Sequence, residues 1–198
     1  MTTMVAATAE AATLTLATDL SGSNPLVKLP EFARAAGTFA ARHVSTLELG
    51  DMVNIRSFGA RDVGNLRDGS LQINRTMRPE RAAAQVSSLI AGIPAAGVPP
   101  QPSTNIVAFF KFGSFDCASG EHILVITDAI ESSAYVDSAA FLSGKAKLPT
   151  PEADLLKGCK VTFYGLGVGQ EGPTVEVIRA AWREWFSKAG ADFTAVIP

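Results

Sequence analysis

A chain of 198 residues, 47% of them hydrophobic, suffices for one sizeable core and one domain. The formal net charge of −2 offers no basic surface for nucleic acid. No apolar run approaches the roughly 18 residues that span a bilayer.

The opening segment is small and polar, without the basic and apolar regions of a signal peptide. As written, the chain reads as cytoplasmic, or as periplasmic or secreted if a signal has been removed. Residues 1–11 read as a flexible N-terminal segment and residues 12–198 as a single domain.

A β-prone run, Ala12 to Thr18, forms the expected first strand and stops at an acid, Asp19. Asn24 and Pro25 punctuate the loop that follows. Pro30 opens a helix whose apolar face carries Phe32, Ala36, Phe39, His43, Val44 and Leu47. Met52 to Gly59 alternates as a second strand. Leu71 to Asn74 alternates too, after the turn-like Arg67-Asp68-Gly69, which predicts a hairpin and hence an antiparallel edge strand. Pro79 opens a second helix with Ala83, Val86, Leu89 and Ile90 buried. The arginines at 75, 78 and 81 read as a solvated face.

The proline- and glycine-rich stretch 94–102 delivers Ser103 and Thr104, an expected N-cap pair. The third helix carries Ile106, Val107, Phe109, Phe110 and Phe112. His122-Ile123-Leu124-Val125-Ile126 reads as a central parallel strand buried on both faces, and it too runs out to an acid, Asp128. Residues 129–158 hold no sustained period, apart from a short helix within 136–142, and read as an extended surface segment. A fifth strand (159–164), a final helix striped by Val175, Ile178, Trp182, Trp185, Phe186 and Ala189, and a short last strand complete the chain. Strands alternating with helices predict a doubly wound α/β domain: a mostly parallel six-stranded sheet, one antiparallel edge strand, and helices on both faces.

His43 reads as a hydrogen-bonded, partly buried histidine. It lies far in sequence from His122, and Cys117 and Cys159 form no C-x-x-C, so zinc is not expected. The cysteines read as small buried apolar side chains, with a disulfide the alternative in a secreted protein.

In an open α/β sheet, ligands bind beyond the carboxyl ends of the strands. Asp19 and Asp128 both fall there, with Ser21 and Ser23 at alternate positions after Asp19. These are hard oxygen donors of the kind that suit Mg²⁺ or Mn²⁺. Asp19-Leu20-Ser21-Gly22-Ser23, then Thr104, then Thr127-Asp128-Ala129 resembles the metal-ion-dependent adhesion site of von Willebrand factor A domains, of which stand-alone bacterial forms occur. The order and placement match over nearly the whole chain. The resemblance implies that Ser21, Ser23 and Thr104 touch a metal, Mg²⁺ or Mn²⁺ with Ca²⁺ possible, while Asp19 and Asp128 act through water. Ser103 is the neighbouring alternative to Thr104. Ala129 departs from the family's usual glycine. The implied function is metal-dependent binding of a partner protein whose Asp or Glu carboxylate completes the coordination, with no catalysis.

Three other readings compete. A phosphate-ester hydrolase or phosphotransferase using Asp19 lacks the second acid of D-x-D, because Ser21 stands there. A metal-free interaction module would keep the fold alone. The G-x-G-x-x-G from Gly167 imitates a dinucleotide fingerprint, but only 26 residues follow Gly172 and the required second strand with its acid is missing. Those glycines read instead as tight turns near the site.

Overall fold

A computed structural model describes residues 11–60 and 69–198. Six strands form one sheet: β1 (Thr13–Asp19), β2 (Met52–Phe58), β3 (Gly69–Gln72), β4 (His122–Ile126), β5 (Lys160–Tyr164) and β6 (Asp192–Val196), in the order β3-β2-β1-β4-β5-β6. Five run parallel, and β3 pairs antiparallel with β2 at the edge. The expected α/β architecture is present. The turn predicted at 67–69 falls, but for Gly69, outside the described residues, as does the N-terminal segment apart from Ala11.

Period-2 alternation sorts the side chains between two cores. Leu14 and Leu16 of β1, with Leu124 and Ile126 of β4, meet α1 (Pro30–Val44) and α2 (Pro79–Ala91). Ala17, Ile123 and Val125 face the other way, into α3 (Ile106–Phe112) and α5 (Gly172–Ala189). Four successive aliphatics in β4 are therefore buried on both faces, as a central strand requires.

Three expectations fail locally. Leu89 is 53% exposed, and Ala82 takes its place in the α2 stripe. Phe112 ends α3 at 57% exposure, because the helix stops there before turning it inward. The Ser103–Thr104 pair does not cap α3, whose N-cap residue is Asn105 with no side-chain cap bond. The first amides of the helix bond instead to a carboxylate from a distant loop.

The cysteines are paired: Cys117 and Cys159 form a disulfide across 42 residues, joining the approaches to β4 and β5. His43 also differs from expectation. It packs edge-on against Phe39 and against His122 (ring centroids 4.8 and 5.2 Å), and its Nε2 is buried without a hydrogen bond. Burial holds both imidazoles below the usual histidine value, His122 at about 4 with further help from His43 and Lys160. Neutral rings tolerate this contact, and charged ones would repel.

The stretch after Asp128 contains α4 (Ser138–Leu142) and lies along α5. Val136, Phe141 and Leu156 are buried there, and Trp182 and Trp185 donate their indole N–H groups to the Ala129 and Pro149 carbonyls at 2.8 Å.

Candidate functional site

From β1 the chain crosses to β2 on one side, and it returns to β4 on the other. The carboxyl ends of β1 and β4 therefore diverge at a topological switch point, where the sheet leaves a crevice. Asn24 spans it: its side-chain amide donates to the Asp19 carbonyl at 2.8 Å and the Ile126 carbonyl at 3.3 Å, while its oxygen accepts from the Leu26 N–H. Nothing in the sequence beyond a loop asparagine signalled that role.

Asp19 ends β1 fully buried. One carboxylate oxygen accepts the Ser21 N–H at 2.8 Å, and the other accepts the Thr127 hydroxyl at 2.7 Å. Thr127 in turn accepts the Ala129 N–H at 3.0 Å, so one hydroxyl locks the first acid to the turn that presents the second. Asp128 lies two residues beyond β4, 1% exposed, and accepts the Ile130 N–H at 3.0 Å. The two carboxyls are close enough to feel one another. Burial, then the Asp128 charge, pushes Asp19 up to about 7. Burial also raises Asp128, against the Ile130 amide and the Ser23 hydroxyl. Among the described residues, no Lys, Arg or His forms an ion pair with either acid. Two buried carboxyls without a counter-charge favour either protonation or an added cation.

The serines follow on the loop. The Gly22 N–H donates to the Gln101 carbonyl at 2.9 Å, and the Gln101 N–H donates to the Leu20 carbonyl at 2.9 Å, so the loop is stitched to residue 101. Ser21 is buried and Ser23 lies at the mouth, exposed, with their hydroxyl oxygens 3.2 Å apart. Adjacent ligands of an octahedral Mg²⁺ at about 2.1 Å stand about 3.0 Å apart, and those of Ca²⁺ at about 2.4 Å stand about 3.4 Å apart. The observed spacing falls between. Among the described residues no three His, Cys, Asp or Glu side chains gather as in an imidazole, thiolate or all-carboxylate site, so a cation here would depend on the hydroxyls.

Asp19, Ser21, Ser23 and Asp128 are thus brought together. Thr104 stands on the neighbouring loop, 1% exposed, and its backbone pairs both ways with Ser132 at 2.8 and 3.0 Å. Ser103 is less buried and accepts a long bond from the Asn105 amide at 3.5 Å.

Ala129 occupies the left-handed region at φ 62°, the backbone that glycine would take without strain. The turn is therefore kept despite the substitution. Gly167, at φ 72°, donates its N–H to the Asp128 carbonyl at 2.8 Å. Of the three G-x-G-x-x-G glycines, Gly167 serves this turn, Gly169 takes a second left-handed backbone at φ 85°, and Gly172 begins α5.

No family model and no curated protein sequence matches the chain. Solved structures similar to it include the pilus adhesin SpaC of Lactobacillus rhamnosus GG in its open conformation, at 14% identity and TM-score 0.49, over 93% of this chain and 28% of the adhesin. They also include an aerotolerance-related membrane protein of Bacteroides fragilis, at 18% identity and TM-score 0.49, over 93% of this chain and 91% of that one. The conserved hypothetical protein BatB of Bacteroides thetaiotaomicron aligns at 17% identity and TM-score 0.47, over 94% and 90%. The chain therefore spans under a third of the adhesin's length and about nine-tenths of the two Bacteroides proteins. The chemistry of the site comes from its own atoms.

Proposed function

We propose that the chain is a von Willebrand factor A-type interaction domain whose binding of a partner protein depends on a divalent cation, Mg²⁺ or Mn²⁺ with Ca²⁺ accommodated. The observation that carries this reading is the pair of buried acids, Asp19 and Asp128, without a counter-cation among the described residues and beside two serine hydroxyls 3.2 Å apart. Ser21, Ser23 and Thr104 would hold the ion directly, and Asp19 and Asp128 would do so through water. The bound cation supplies a Lewis-acid position that an outside carboxylate can fill.

Three of the five donors are neutral, so much of the ion's charge remains for an anionic ligand. Ser23 marks the open side, since it alone of the five is exposed. An Asp or Glu of the partner would anchor there, and the surrounding contacts would set affinity. Asp19 is poorly disposed as a phosphoryl nucleophile. Each of its oxygens already accepts a hydrogen bond and its side chain is buried, which disfavours in-line attack on a bulky phosphate ester while leaving a lone pair for a water.

Calorimetric titration of the chelated protein with Mg²⁺ and Mn²⁺, beside Asp19→Ala and Thr104→Ala, tests this. Saturable binding in the wild type, abolished in Asp19→Ala and weakened in Thr104→Ala, is expected. Equal heats in all three proteins, or none in the wild type, would overturn it.

A further inference from the structure

Three residues past Asp128, one side chain is engaged with the other side of the crevice. Glu131 is fully buried. Its Oε2 accepts the N–H groups of Ile106 and Val107 at 2.9 and 3.1 Å, the first residues of α3. The helix has no side-chain cap of its own, so Glu131 supplies from a distance of about 25 residues what Ser103 and Thr104 do not. The next residue, Ser132, exchanges both backbone bonds with Thr104. Residues 131–132 therefore zip onto 104–107. The same loop is fixed at its start by the Gly167 N–H on the Asp128 carbonyl and the Trp182 N–H on the Ala129 carbonyl.

We propose that Glu131 is a positioning residue for the cation site: by capping α3 it sets the distance between the Thr104 hydroxyl and the Asp128 carboxyl. This inference rests on the metal-dependent reading above. Its physical basis is leverage. Thr104 has no regular strand or helix beneath it. Two backbone bonds to Ser132 hold its height, and the Glu131–α3 bonds hold its approach. Withdraw the carboxylate and two amides lose their acceptor, so the 103–107 segment keeps its ties to Ser132 and to the Gly59 carbonyl but is held less tightly relative to Asp128. Groups that orient metal ligands without touching the metal typically change affinity by about 10- to 100-fold when removed.

The experiment measures the Mn²⁺ dissociation constant by calorimetry for wild type, Glu131→Gln, Glu131→Asp and Glu131→Ala, with urea unfolding of each in chelator. Glutamine keeps an oxygen for the two amides, aspartate withdraws it by one methylene, and alanine removes it. The expected order is wild type close to glutamine, within about threefold, then aspartate, then alanine weaker by about 10-fold or more. A merely structural role would lower stability in chelator and leave the dissociation constant of the folded protein unchanged across the series, and that result overturns the proposal. Should the alanine variant fail to fold, the aspartate variant decides by the same comparison. If the wild type binds no Mn²⁺, the metal-dependent reading itself fails. Wild-type binding with an unchanged constant in every variant refutes only the role of Glu131.

Discussion

Asp19→Asn separates what the buried acid costs the fold from what it gives the site. Without a cation, Asp19 titrates at about 7 instead of 3.8, through burial and the neighbouring Asp128. A shift of about 3 units corresponds to about 4 kcal/mol of folding free energy. The folded value lies above the unfolded one, so this contribution is present below pH 4 and is lost as pH rises through about 7. Asparagine removes the charge and keeps an oxygen for the Ser21 N–H, but gives up the bond accepted from Thr127, worth about 1 kcal/mol. In chelator at pH 8 the variant should therefore be more stable than wild type by about 3 kcal/mol, and near pH 4 less stable by about 1 kcal/mol. His43 and His122, held low by burial, destabilise both proteins as pH falls below about 6.5, so the difference between them cancels out of the comparison. Urea unfolding followed by the fluorescence of buried Trp182 and Trp185 reads the difference. Added Mn²⁺ should reverse the order at pH 8, because a ligand at about 1,000 times its dissociation constant stabilises by about 4.1 kcal/mol and only the wild type has the site. A variant less stable than wild type at pH 8 in chelator would refute the claim that the acids are an uncompensated buried pair. A wild type indifferent to millimolar Mn²⁺ would refute the site.

Two further expectations concern the frame around the site. Cys117→Ser with Cys159→Ser should lower stability by up to about 4 kcal/mol, the loop-closure value for a bridge spanning 42 residues, measured by urea unfolding without reductant. Cation binding should survive, since the bridge joins the amino-terminal approaches of β4 and β5 at the sheet end away from Asp19 and Asp128. At position 129, glycine relieves a left-handed alanine worth about 1–2 kcal/mol but loses a buried methyl and adds chain entropy, so Ala129→Gly should stay within about 1 kcal/mol of wild type. Ala129→Val, β-branched in that same region, should lose more than about 3 kcal/mol, and thermal unfolding of the pair checks both.

What the sequence determined by itself is the part governed by short-range periodicity. The four aliphatics of β4, the stripes of α1 and α5, and the proline starts of α1, α2 and α5 dictate a doubly wound sheet, because burying those faces allows few other arrangements. That sheet in turn places Asp19, Ser21, Ser23 and Asp128 at one edge, since a strand running out to an acid carries the acid there. Tertiary structure decided what depends on which distant atoms meet. Thr127 locking Asp19, Asn24 bridging two strand ends and Glu131 capping a helix about 25 residues away are single polar side chains without period, and their partners exist only once the chain has folded. The pairing of Cys117 with Cys159 and the contact of His43 with His122 have the same origin. Residues separated by 42 and by 79 positions became neighbours because β4 pairs with β5 and α1 ends over the start of β4.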